Sequence, residues 1–95
     1  MRLNIEKAVE LYYSTTEIRV KDIAEMFSAS VGTAQKLRRI AKEQMLEEDK
    51  KCMESRAVLT DVAFRAWGLD IAELEKKLDK MYRLKQKQAK VSTSA

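Results

Sequence analysis

The feature that most narrows the fold is what the chain lacks: in 95 residues there is no proline, and there are only two glycines, Gly32 and Gly68. Proline breaks helices and glycine loosens them, so little in this chain interrupts a helix once started. The abundant Ala, Leu, Glu, Lys and Met residues favour helix in their own right. An all-α architecture is expected. One tryptophan, three tyrosines and two phenylalanines leave most of the core to aliphatic side chains and methionine. The length suits a single domain with a helical appendage, of modest stability because a small domain buries a limited share of its surface.

Apolar residues recur at steps of three and four, the spacing that aligns side chains on one helical face. A first helix is expected from about Asn4 to Tyr13, capped by Asn4, with Ile5, Ala8, Val9 and Tyr12 inward. Ile18 and Val20 alternate around Arg19 like a very short extended piece, but the better reading is that they anchor the entry to a second helix, about Lys21 to Phe27, against the core. A third runs from near Ser30 to about Asp49, since nothing from Ala34 to Lys50 breaks it. The charged stretch from Glu47 to Arg56 lacks the Gly-containing paired strands of a hairpin wing and reads as a connection. A fourth helix, about Ala57 to Trp67, gathers Val58, Leu59, Val62, Ala63, Ala66 and Trp67 on one stripe and stops at Gly68, a left-handed cap. Asp70 and Glu73 form a capping-box-like start for a fifth. From there Ile71, Leu74, Leu78 and Met81 make a heptad fragment, which either packs on the first or fourth helix of the same chain or pairs with a second copy.

The second and third helices carry the chemistry. Ile23, Ala24 and Phe27 lie on one stripe and Ala34, Leu37 and Ala41 on another, separated by Ser28-Ala29-Ser30, where Ser30 can cap the third helix. Ala24 and Ala34 are small where two helices crossing over so short a turn come close. The segment resembles the helix-turn-helix DNA-binding proteins of phages and mobile elements, among them regulators and excisionases. The resemblance rests on Ile23-Ala24, Ser28 and the run Ser30-Val31-Gly32-Thr33-Ala34-Gln35-Lys36-Leu37. It departs from the family pattern at Ser28, where glycine is common, and at Gly32, inside the recognition helix. It implies a helix-turn-helix three-helix core without a wing, followed by two further helices, and sequence-specific binding of double-stranded DNA.

No acidic residue falls between Ser30 and Lys42, while Lys36, Arg38, Arg39 and Lys42 do, which concentrates positive charge along the third helix. On this reading Ser30 and Thr33 bond phosphate or a base edge at the helix N-terminus, and Gly32 permits close approach of backbone to DNA. Gln35 pairs with adenine, Lys36 and Arg39 address guanine or phosphate, and Val31 touches a thymine methyl. Arg38 and Lys42 grip the backbone at the flank, and Arg19 and Lys21 hold phosphate beside the second helix. Residues 1–50 then form the DNA-binding core, residues 51–84 a helical packing or dimerisation extension, and residues 85–95 a basic polar tail. That tail either adds nonspecific DNA affinity or is a solvated exterior.

The remaining classes receive little support. With no histidine and a lone cysteine, Cys52, neither a disulfide framework nor a Cys/His zinc site can be assembled, so no metal or other cofactor is expected. The carboxylates Glu43, Glu47, Glu48 and Asp49 lack a nucleophile motif or phosphate loop, and no catalytic constellation is seen; an enzyme is not expected. Trp67 reads as a core anchor. No apolar stretch has the length of a signal core or a membrane span, which points to the cytoplasm. The competing function is a protein-interaction module, an anti-repressor or inhibitor, whose partner binds apolar faces of the fourth and fifth helices.

Overall fold

The computed structural model describes the backbone of residues 2–93 and the side chains of residues 2–86. Helix α1 spans Ile5–Ser14, and the Asn4 side chain accepts from the Lys7 backbone N–H at 3.1 Å, satisfying one free donor of its first turn. Strand β1 (Glu17–Ile18) leads into α2 (Val20–Phe27), and α3 (Val31–Glu47) follows a three-residue turn. Strand β2 (Val58–Leu59) precedes α4 (Thr60–Ala66), and α5 (Ile71–Thr93) ends the described chain. The fold is all-α apart from one two-stranded ladder. Of the tail, Lys85 and Gln86 are exposed, the side chains from Lys87 onward lie outside the described residues, and so do Ser94 and Ala95 entirely.

The turn between α2 and α3 is closed by a serine in a glycine-like conformation. Ser28 sits at φ 50°, ψ 46°, and the N–H groups of Ser28 and Ala29 both donate to the Ala24 carbonyl. Two more carbonyls at this helix end are taken by the chain's own start: the Arg2 N–H donates to Phe27 at 2.9 Å and the Asn4 N–H to Met26 at 2.6 Å. The free C-terminal carbonyls of α2 are thus met from inside the molecule. Ser30 then caps α3, accepting from the Thr33 N–H at 3.3 Å.

The ladder departs from the sequence expectation. Periodicity places the start of the fourth helix near Ala57, but Val58 and Leu59 are extended and pair antiparallel with Ile18 and Glu17, so α4 begins only at Thr60. Burial explains the difference: Ile18 and Val58 have no exposed surface, and crossing to each other satisfies backbone groups that would otherwise be buried unpaired. Thr60 seals the junction, with its N–H on the Thr16 carbonyl at 2.9 Å and its Oγ1 donating to the Thr15 carbonyl at 2.6 Å. Helix α3 ends at Glu47, slightly short of expectation, because Asp49 turns the chain at φ 54°. Gly68, at φ 74°, stops α4 as its position predicts.

A single hydrophobic cluster joins these elements. Ala8, Leu11, Ile23, Met26, Ala34 and Met45 meet Val62, Ala63, Phe64 and Leu74, so residues 1–50 and 51–84 share one core. Ala34 and Ala41 are fully buried, which lets α3 lie close against its neighbours. Trp67 is the anchor its stripe suggests: its ring stands edge-on to Phe27 at 5.3 Å, and Nε1–H donates to the Leu37 carbonyl at 2.9 Å. Helix α5 runs antiparallel along α1, tied by Tyr13 to Glu75 near its start and by Tyr82 to Glu6 at 3.3 Å farther on. Leu74 enters the core, Ile71 packs against it, Leu78 is half-buried, and Met81 is exposed. At 1.5 Å per residue α5 is about 34 Å long against about 15 Å for α1, so its far half overhangs the body. Among the described residues no helix is long and apolar enough to cross a membrane.

Candidate nucleic-acid interface

Helix α3 is held from one side only, and the opposite side is open. Ala34, Ala41 and Met45 point into the core, while Val31, Gly32, Gln35, Lys36 and Arg39 lie across the other half of the helical circumference and are exposed. Val31, at 61% exposure, is an apolar side chain left largely uncovered by the described residues. A Cβ on Gly32 would meet no atom within 4 Å, so packing places no demand for glycine there. Basic and acidic residues are also separated along the axis. Lys36, Arg38 and Arg39 occupy the N-terminal half, and Glu43, Glu47 and Glu48 the C-terminal end, so positive charge is concentrated on the first half.

Ser30 and Thr33 are both drawn into the cap of α3: Ser30 Oγ donates to Thr33 Oγ1 at 3.2 Å and accepts the Thr33 N–H. Lys42 is likewise committed. Its half-buried ammonium donates to the Ser55 carbonyl at 2.9 Å and the Ala57 carbonyl at 3.4 Å, which pins the connection between α3 and β2 to the side of α3. Lys42 thus anchors the connection to α3, a role that its place in the sequence does not suggest.

Pinning that connection builds a groove. About 490 Å³ in volume, it is lined by Arg19, Val20 and Lys21 at the start of α2, by Gln35 and Arg38 of α3, and by Glu54 and Arg56 of the connection. Arg19 pairs with Glu54 at 2.5 Å, whereas Lys21, Arg38 and Arg56 make no ion pair among the described residues. Arg38 Nε is buried without a hydrogen-bond partner. Sequence reasoning selects Arg19, Lys21, Gln35 and Arg38 but misses Arg56 and Glu54. Those two lie more than thirty residues from Arg19, and the β1–β2 register, which aligns Ile18 with Val58, brings them beside it together with the bonds of Lys42 and Glu17 to the connection.

Two other groups lie outside this interface. The Glu48 carboxyl is held below the usual range by the Gln44 amide, 2.9 Å away, and by Arg65 and Lys50, and it ties the end of α3 to α4. The Cys52 thiol is pushed up to about 11 by burial and by the Glu17 carboxylate, which leaves it protonated and a poor nucleophile near neutral pH.

Compared with known proteins, the chain matches no family model, no curated protein and no solved structure. The functional reading therefore rests on its own residues and geometry.

Proposed function

We propose that this protein binds double-stranded DNA sequence-specifically, laying the N-terminal half of α3 in the major groove. It would act as a small transcription regulator or excisionase-like factor of a phage or mobile element, in the cytoplasm, without catalysis and without a cofactor. The observation that carries this reading is the exposed, acid-free face of Val31, Gly32, Gln35, Lys36 and Arg39, continuous through Gln35 with the basic groove beside α2. Gln35 and Arg39 lie about one turn apart and suit base-edge contacts, and Val31 suits a thymine methyl. Arg19, Lys21 and Arg38 suit phosphate at the flank.

Selection of bound sequences from random duplex DNA, with a salt titration, tests the proposal. An enriched motif is expected, together with affinity that falls as salt rises. Gln35→Ala and Arg39→Ala should each relax preference at one position, at a cost of about 1–3 kcal/mol there. Equal losses on all sequences would reduce both residues to phosphate neutralisers, and absence of any salt-dependent binding would sink the reading.

The overhanging half of α5 supports a second partner. Met81 and Tyr82 are exposed where α5 leaves α1 and Leu84 just beyond, whereas the apolar face of α4 is spent in the core through Val62, Ala63 and Phe64. A protein partner seated on α4, as in the interaction-module alternative, would have no apolar face to meet. On α5 the occupant we favour is a second copy, which would set two α3 helices on half-sites about one DNA turn apart.

A further inference from the structure

The groove between α2 and the connection holds more positive charge than the free protein can use. Four cations, Arg19, Lys21, Arg38 and Arg56, face one carboxylate, Glu54. Like charges gathered in a concave site repel one another and raise the local concentration of anions. Arg38 lines this groove, and its Nε–H is buried without an acceptor among the described residues, a state that few buried polar groups show. The first turn of α2 opens at the same place; its Arg19 N–H is taken by the Asp22 carboxylate at 3.1 Å, while the N–H groups that directly follow have no carbonyl partner within the helix. Nor is the connection loosely placed. The Glu54 N–H donates to Glu17 at 3.2 Å, and Lys42 holds the carbonyls of Ser55 and Ala57 on either side of Arg56.

We propose that this groove seats one phosphodiester of the DNA backbone beside the segment read by α3, and that Glu54 occupies Arg19 until the phosphate arrives. The inference rests on the DNA-binding reading and adds two residues to it: Arg56 as a phosphate ligand and Glu54 as an internal competitor. The exchange is easy in energetic terms, because the Arg19–Glu54 pair is exposed on both sides and exposed pairs are weak. A phosphate would bring the acceptor that Arg38 lacks and offset the charge of Lys21 and Arg56. Glu54 in turn weakens binding to every duplex alike, leaving discrimination to Gln35, Arg39 and Val31.

The test compares the full chain with its E54Q, R56Q and E73Q variants on a random-sequence 20-base-pair duplex and on the selected site, across a salt series. Glu73 is exposed on α5, so E73Q makes the same change in net charge away from the groove. E54Q should tighten binding about two- to fivefold on both duplexes and steepen the salt slope by up to about one, with E73Q close to the parent. R56Q should weaken both duplexes by a similar factor and make the slope shallower by about one. Equal effects of E54Q and E73Q, or an R56Q protein that binds as the parent does, would overturn the proposal while leaving the DNA reading intact. If the parent chain binds neither duplex, both fall together. Thermal melting of each variant checks folding, and E54Q and R56Q test the seat independently should one of them fail to fold.

Discussion

Two residues show the backbone being set for different reasons. Ser28 takes the left-handed conformation because the turn between α2 and α3 leaves no alternative, and a residue with a Cβ is strained there by roughly 1 kcal/mol. Gly32 is the reverse, a helix-interior glycine at a place where a methyl group meets open space. We expect Ser28→Gly to stabilise the fold by about 0.5–1 kcal/mol in urea denaturation and to leave DNA affinity unchanged. Gly32→Ala should also stabilise by about 0.4–1 kcal/mol, because the unfolded chain loses freedom, yet it should weaken DNA binding if the backbone at this point approaches the duplex. A Gly32→Ala protein both more stable and unchanged in affinity would remove Gly32 from the interface. Ser28 and Gly32 thus differ in kind: the turn sets the one, and packing makes no demand for the other.

Among the elements, the connection between α3 and β2 is the least legible in sequence and the most consequential. Its charge suggests a solvated linker, yet Lys42, Glu17 and the β1–β2 pairing fix its course along the side of α3. Lys42→Met should cost about 1–2 kcal/mol in stability, since an ammonium bonded to two carbonyls is worth more than a neutral donor. Its DNA affinity should fall through loss of the Arg56 position as well as through loss of charge. A stability loss below about 0.5 kcal/mol would show that the two carbonyl bonds do not hold the segment. The helices themselves were readable from apolar spacing and from Asn4, Ser30 and Gly68 at their ends. The start of α4 was not, because Val58 and Leu59 fit a helical stripe as well as a strand, and only the pairing partner decides.

At the scale of the whole molecule, α5 divides into a half that belongs to the core and a half that leaves it. Leu74→Ala should destabilise by about 2–3 kcal/mol, the usual effect of emptying a buried leucine site. Met81→Glu, at an exposed position, should change stability by no more than about 0.5 kcal/mol. Sedimentation equilibrium then distinguishes the two halves: if a second copy pairs along the overhang, Met81→Glu abolishes the dimer without unfolding the protein. A parent chain that sediments as a monomer at high concentration would exclude that pairing. The heptad fragment left this choice open because a stripe of Ile71, Leu74, Leu78 and Met81 serves an intramolecular neighbour and a second copy equally well.

Composition and spacing alone determined that the chain is all-α, where most of its helices begin and end, and that α3 carries an acid-free basic run after a serine cap. These are local properties, set by backbone preference and by periodicity within ten or twenty residues. Tertiary structure decided what depends on distant residues meeting. It joined Ile18 to Val58, spent the apolar face of α4 in the core and turned Lys42 from the open face toward Ser55 and Ala57. It also carried Glu54 and Arg56 to Arg19, making a groove that no stretch of the sequence contains. The physical reason is burial: a strand register and a packed helix pair arise only when remote side chains leave water together, and the surface charges follow where the backbone is then obliged to run.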